Sequence, residues 1–286
     1  MIMKICCIYH SIDLDGWMSA AIVKMALKDK NIDFIGFNYG DVVPDLAGYD
    51  EIILVDITLP HLAMLGLKDK IVWIDHHISA IRDSENLKYS DIGGVRDTRY
   101  AACELTWTYF FPVLKTPEVV TLLGMYDCFR HKGTNDERRV LEFQYGARSE
   151  ISNLDDAFAV LNVAKGNGDW SMDTDVVSIL LERGVAIYRY LRIEAKSIYK
   201  GRFETMIDGR YAAVVNRERF NPVNFGIDYH KDGYEVFVCF HYESGMFNYS
   251  IYNDNGLVDC SAIAKLYNGG GHKGAAGFRS TELLFK

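Results

Sequence analysis

Apolar residues cluster in two different ways along this chain, and the style changes near residue 200. In the first half, short apolar runs occur at 4–9 (KICCIY), 33–37 (DFIGF), 51–55 (EIILV) and 71–74 (IVWI). Runs of this length with little alternation suit strands buried on both faces. Helical stretches at 17–29 and 60–69 separate some of them. Strands alternating with helices predict a parallel sheet covered on both sides, a Rossmann-like α/β arrangement. Another helix is expected at about 99–111 and a further one from Pro117. The latter has Thr116 as N-cap, Pro117 at its first position and Glu118 in its first turn. From 174 to about 198 runs a long helical pattern with Ile179, Leu180, Ala186, Ile187, Tyr190 and Leu191 on one face. It reads as a connector between domains.

Beyond it the runs are aromatic and β-branched, at 211–216 (YAAVVN), 234–242 (YEVFVCFHY) and 246–252 (MFNYSIY). Turn signals at Asp232-Gly233 and Ser244-Gly245 separate them, which predicts an antiparallel or mixed sheet. A short helix from Ser261 to Tyr267 then leads into Asn268-Gly269-Gly270-Gly271-His272. The expected organisation is a first domain over 1–173, a connector helix over 174–200 and a smaller α/β domain over 201–286.

Composition narrows the function classes. With 286 residues, 49% of them hydrophobic and 24% charged, the chain can bury a sizeable core and is not disordered. A formal net charge of −8 argues against wrapping long nucleic acid, although bound divalent metals would make a site locally positive for a small phosphorylated ligand. The six cysteines form no CxxC pair, and Cys6 and Cys7 fall on opposite faces of one strand. Reduced core thiols in a cytoplasmic protein are the expectation. The apolar N-terminal run is broken by His10 and Asp13, too early for a signal peptide or a membrane span.

The candidate chemistry lies just past the apolar runs. His10, Asp13, Asp15 and Gly16 follow the first, Asp56 the third, and Asp75-His76-His77 the fourth, while Asp127 ends an otherwise apolar helix. In parallel α/β sheets ligands bind beyond the carboxyl ends of the strands, so these residues should share one crevice. Alone, Asp15 would cap a helix starting at Trp17, and Asp56 would be a turn residue. Together, carboxylates and imidazoles form the ligand set that divalent metals such as manganese take. A carboxylate such as Asp127 in apolar surroundings must be paired, hydrogen-bonded or metal-bound. Glycines after a helix are ordinary cap residues, but three in a row could make a nest of backbone N–H groups for an anion, with His272 adding a hydrogen bond. The aromatics of 234–252 could stack bases, but core is the favoured reading for most; Arg130, His131 and Lys132 are a phosphate contact or a solvated surface, the surface being favoured.

These motifs, in this order, resemble the DHH phosphoesterase superfamily in its branch with a C-terminal DHHA1 domain. The resemblance covers nearly the whole chain. Its motifs are His10-xx-Asp13-x-Asp15-Gly16, Val55-Asp56, Asp75-His76-His77 and Asp127, with Gly269-Gly270-Gly271-His272-xx-Ala275-Ala276-Gly277 as the DHHA1 signature. Within the superfamily the chain is most similar to the nanoRNases, or oligoribonucleases, and to cyclic-nucleotide phosphodiesterases. The resemblance implies two divalent ions, manganese first, with magnesium or cobalt as substitutes. His10, Asp13 and Asp56 would hold one ion; Asp15, Asp56, His76 and Asp127 would hold the other, Asp56 bridging. His77 would face the scissile phosphate and Asp75 would orient its neighbours, making Asp56, Asp75 and His77 the catalytic group. Gly269, Gly270, Gly271 and His272 would bind substrate from the second domain. Relatives carry an Arg-Ser pair where this chain has Ser250-Ile251-Tyr252-Asn253, so an arginine that helps hold the phosphate is missing.

The expected activity is hydrolysis of short oligoribonucleotides to mononucleotides by a water activated between two ions. Alternatives are a cyclic mono- or dinucleotide phosphodiesterase, a bisphosphonucleotide phosphatase, or a non-catalytic nucleotide-binding protein. The expected partner is a short nucleic acid or nucleotide, with no long nucleic acid and no membrane; the sequence leaves a homodimer open.

Overall fold

The four apolar runs of the first half become strands β1 (Ile5–His10), β2 (Ile32–Phe37), β3 (Glu51–Val55) and β4 (Ile71–Asp75) in the computed structural model, which describes residues 3–168 and 170–285. A fifth strand, β5 (Gly93–Arg96), joins them at the edge; with only Val95 apolar it gives no run to detect. All pairings are parallel, in the order β2-β1-β3-β4-β5. Alternate side chains feed two cores, as a sheet buried on both faces requires. Ile5, Cys7, Ile53, Val55 and Ile74 enter one; Cys6, Ile8, Ile52, Leu54 and Trp73 enter the other. All six cysteines are free thiols.

The helices of this half are α1 (Leu14–Ala26), α2 (His61–Leu67), α3 (Ile78–Asn86), α4 (Ala102–Phe110), α5 (Glu118–Asp127), α6 (Glu137–Glu150), α7 (Leu154–Lys165) and α8 (Asp173–Lys200). Several boundaries depart from the sequence reading for identifiable reasons. Helix α1 begins before residue 17 because Asp13, not Asp15, is its N-cap and accepts from Gly16 N at 3.1 Å. Thr116 does not cap α5. The orphan amides of Glu118 and Val119 are instead met by the Asp173 carboxylate, and a cap from so far along the chain leaves no local signal. Helices α6 and α8 approach closely where Gly146 faces Gly184. A Cβ on Gly146 would lie 1.8 Å from Leu180 O, and one on Gly184 would lie 1.7 Å from Glu142 O.

The chain divides into two units, Met1–Ile187 and Tyr188–Lys286, so the division falls inside α8 rather than at 173 or 200. The second unit has strands β6 (Phe203–Ile207), β7 (Arg210–Asn216), β8 (Val236–Glu243), β9 (Met246–Tyr252), β10 (Gly270–Gly271) and β11 (Ala275–Ser280), with helix α9 (Cys260–Leu266). They form a sheet in the order β10-β11-β9-β8-β7-β6. It is mixed, because β7 and β8 pair in parallel while the other pairs are antiparallel. Asp232-Gly233 is therefore no hairpin turn; it ends a 3-10 segment in the crossover between the two parallel strands. The hairpin turns are Ser244-Gly245 and Asp208-Gly209, each pair at positive φ as a type I′ turn demands. Val214, Val238, Tyr249, Ile251 and Phe278 pack under α9 as the core of this sheet.

Candidate metal centre

In an open parallel sheet the strand order reverses at one point, and the chain ends diverge there to leave a crevice. Here the reversal lies between β1 and β3. His10 is the last residue of β1 and Asp56 directly follows β3, so both stand at its mouth. Asp75 ends the neighbouring strand β4, followed by His76 and His77.

Two ligand groups form, and they share Asp56. His10 Nδ1 lies 3.3 Å from Asp13 Oδ2 and 3.4 Å from Asp56 Oδ2. His76 Nε2 lies 3.4 Å from Asp15 Oδ2, 3.3 Å from Asp56 Oδ1 and 3.2 Å from Asp127 Oδ2. Within each of the sets His10–Asp13–Asp56 and Asp15–Asp56–His76, one donor atom per residue lies within 4.8 Å of the others. Asp56 sits at φ +60, a conformation few non-glycine residues adopt, and such strain concentrates at functional positions.

The electrostatics call for positive charge. Burial opposes charging His10, yet the Asp13 and Asp56 carboxylates hold its pKa up at about 11. Burial likewise opposes charge on His76, and the surrounding Asp56, Asp127 and Asp15, together with the Cys128 thiol, raise its pKa well above the ordinary value. Burial, then repulsion from Asp13 and Asp56, lifts Asp127 to about 6 against the opposing pull of His76. His10 Nδ1 and Asp56 Oδ1 are buried and have no well-formed hydrogen bond. Orphaned buried atoms among clustered carboxylates fit divalent cations.

The supporting residues are specific. Asp15 is buried, and its two oxygens accept from the backbone N–H groups of Ala102 (2.9 Å) and Cys103 (2.8 Å). It therefore satisfies the start of α4 rather than that of its own helix. Asp75 is fully buried and accepts five hydrogen bonds. They come from Thr58 Oγ1 (2.9 Å), Trp73 Nε1 (3.2 Å), the amides of His76 and His77 (2.7 and 3.1 Å), and His77 Nδ1 (2.8 Å). Despite its burial, the His77 and His76 imidazoles and these bonds hold its carboxyl below the usual range. Through Oδ1 Asp75 holds the His77 ring in place.

Because folding lowers the Asp75 pKa from an unfolded value of about 3.9, its stabilisation is fully present above that pH and is lost on acidification. In urea unfolding, Asp75→Asn should be less stable than wild type by about 1.5–3 kcal/mol near neutrality, with the gap narrowing below about pH 4. Its metal-dependent turnover should fall roughly 10–100-fold. A stability gap independent of pH would contradict this role.

Gly16 is required by close approach. A Cβ there would lie 1.9 Å from His10 O. Gly16→Ala should displace His10, cost about 1–3 kcal/mol in urea unfolding and weaken metal binding. Unchanged manganese affinity in a correctly folded Gly16→Ala would show that the contact relaxes without moving His10.

The sequence reading missed Cys128, whose Sγ lies 3.4 Å from His76 Nδ1, and Thr58, which bonds Asp75. It also missed Tyr39, beside His10 and His77, although Tyr39 follows an apolar run as the other site residues do. The reading of residues 130–132 as solvated surface is corrected at two of them. His131 is buried, stacked on Tyr126 at 5.5 Å and bonded to Met125 O, and Arg130 pairs with Glu104.

In the second unit, local packing accounts for much of the glycine run. Gly269 N donates to Ala264 O, His272 N donates to Ala275 O, and Gly270 and Gly271 pair with Gly277 and Ala276. A Cβ on Gly269 would lie 2.1 Å from Gly277 O. The N–H groups of Gly269 and His272 are thereby already satisfied. Asn253, in the stretch that lacks the arginine, is buried and ties Glu235 O to Val258 N.

No family model matches the chain, and no curated protein matches it. Solved structures with a similar fold include a pGpG-specific phosphodiesterase from Vibrio cholerae (13% identity, TM-score 0.46, covering 97% of this chain and 92% of that one). A DHH domain described as belonging to a family of ribosomal proteins is 16% identical (TM-score 0.44, covering 96% and 82%). An exopolyphosphatase-related protein from Bacteroides fragilis is 13% identical (TM-score 0.43, covering 100% and 88%). Likenesses this loose carry no function, so the site is read from its own geometry. Among the described residues no helix is long and apolar enough to cross a membrane. By its ordered acidic and histidine motifs, set in a two-unit α/β fold, this chain resembles the DHH phosphoesterase superfamily in its DHHA1-bearing branch.

Proposed function

We propose that the protein is a two-metal phosphodiesterase that hydrolyses short oligoribonucleotides to mononucleotides. The observation that carries this reading is the pair of ligand groups sharing Asp56, with His77 held beside them by Asp75. His10, Asp13 and Asp56 would hold one ion, and Asp15, Asp56, His76 and Asp127 the other. Bound there, two divalent ions, manganese in the first instance, would supply Lewis acidity that lowers the pKa of water and offsets charge on the phosphoryl oxygens.

The chain's own residues then do three things. Asp15, Asp56 and Asp127 fix the spacing of the centre, and Asp15 is itself fixed by two amides of α4. His77 Nδ1–H donates to the Asp75 carboxylate, which turns the opposite ring nitrogen away from it. His77 in that orientation would stabilise charge on the scissile phosphate. His272 would add a hydrogen bond to the substrate, so that His272→Ala weakens substrate binding and leaves the metals in place. The acidic chain favours a substrate of a few nucleotides over long nucleic acid.

The test is incubation with manganese and a matched panel: an RNA dinucleotide, an RNA pentamer, a cyclic dinucleotide, cAMP and 3′,5′-bisphosphorylated adenosine. Mononucleotides from the short RNAs are the expected products. Turnover confined to the cyclic or bisphosphorylated compounds would replace the substrate. No turnover at all, with two metals bound, would replace the enzyme by a binding protein.

A further inference from the structure

We propose that Tyr39 is a nucleobase platform beside the metal centre, a stacking surface that makes the site prefer phosphates carrying an aromatic base. This inference rests on the nucleotide reading above and adds a specificity residue to it. Tyr39 lies two residues past β2, the strand hydrogen-bonded to β1, and so at the same end of the sheet as His10. Its ring centroid is 5.9 Å from that of His10 and 6.1 Å from that of His77, in edge-type contact with both. The same residue is 48% exposed. A large aromatic left open beside two site imidazoles is more than a core residue needs to be.

The ring is held by its edge-type contacts with His10 and His77. The backbone under it is pinned as well. Ser11 N donates to Phe37 O, Ser11 Oγ donates to Asn38 Oδ1 at 3.3 Å, and Asn38 N donates to Asp41 Oδ2 at 2.8 Å. Gly40, at φ +98, turns the chain immediately afterwards. An aromatic face held in advance loses little conformational entropy when a base stacks on it. A base is joined to its phosphate through a single sugar, so a phosphate at the metal centre brings its base within reach of this ring. Such stacking tolerates every base, because each has a π-face.

The experiment compares Kd for AMP and for ribose 5-phosphate on the full chain saturated with manganese, in wild type, Tyr39→Phe and Tyr39→Leu. Wild type and Tyr39→Phe should bind AMP about tenfold or more tighter than ribose 5-phosphate, and Tyr39→Leu should lose most of that ratio. Equal affinities in wild type, or a full ratio kept in Tyr39→Leu, would overturn the proposal. Dinucleotide hydrolysis by wild type, assayed in parallel, separates the two readings. Absent turnover sinks the nucleotide-cleaving function, whereas turnover with an unchanged ratio in Tyr39→Leu sinks only the platform.

Discussion

Replacing Asp56 with alanine should remove divalent-metal binding and hydrolysis together. Among the described residues Asp56 belongs both to the set with His10 and Asp13 and to the set with Asp15 and His76, so its loss breaks both sites at once. The expected fall in turnover exceeds the roughly 10²–10³-fold that loss of a single transition-state donor costs. Alanine at φ +60 also adds backbone strain of about 1–3 kcal/mol, which could be mistaken for the cause. Asp56→Asn separates the two effects, because asparagine tolerates that conformation and keeps the side-chain shape while losing the charge. In metal-free buffer it should melt close to wild type; it should bind manganese poorly by calorimetry and turn over no substrate. Full activity in Asp56→Ala would remove the bridging assignment altogether.

Stripping the metal with a chelator should lower the melting temperature of the wild-type protein and leave Asp56→Ala unmoved. Without cations, buried Asp15 and Asp56 and half-buried Asp127 face one another across a single imidazole. Ions that bind only the folded state stabilise it by about 2.7 kcal/mol when present at 100 times their dissociation constant. For a unit of this size that corresponds to roughly 5–10 °C.

The pH dependence has a definite sign. In the metal-free protein His10 and His76 hold protons well above their ordinary pKa, at about 11 for His10. An imidazole must give up its proton to ligate, so metal binding releases protons and tightens as pH rises, by up to about tenfold per unit for each proton released. Calorimetry in two buffers of different ionisation enthalpy counts those protons directly. Zero release at pH 7 would mean that the imidazoles are already neutral and that the charge balance described here is wrong.

Much of this site is legible in the chain because of where its residues stand. Strands buried on both faces need unbroken apolar runs, so β1, β3 and β4 declare themselves, and any polar residue just past such a run must lie at a strand end. His10, Asp56, Asp75 and His76 stand out in this way, and Asp127 stands out as the carboxylate ending an apolar helix. Tyr39 obeys the same rule after β2 and was missed only because a tyrosine carries no metal-ligand signal. Strand β5 and the Asp173 cap of α5 were illegible for opposite reasons: the first has almost no apolar side chains, and the second acts from far along the chain.

The sequence by itself determined the kinds of donor available, their location at strand ends, and the alternating burial that forces a covered parallel sheet. Only the tertiary structure decided which donors meet. The reversal of strand order between β1 and β3 sets His10 against Asp56. Packing of α1 against α4 turns Asp15 onto the amides of Ala102 and Cys103. Burial of Asp75 beneath Thr58 and Trp73 makes it an anchor for His77. Local periodicity can place a carboxylate at the end of a strand. Its partner comes from residues tens of positions away, and only the three-dimensional closure of the chain selects it.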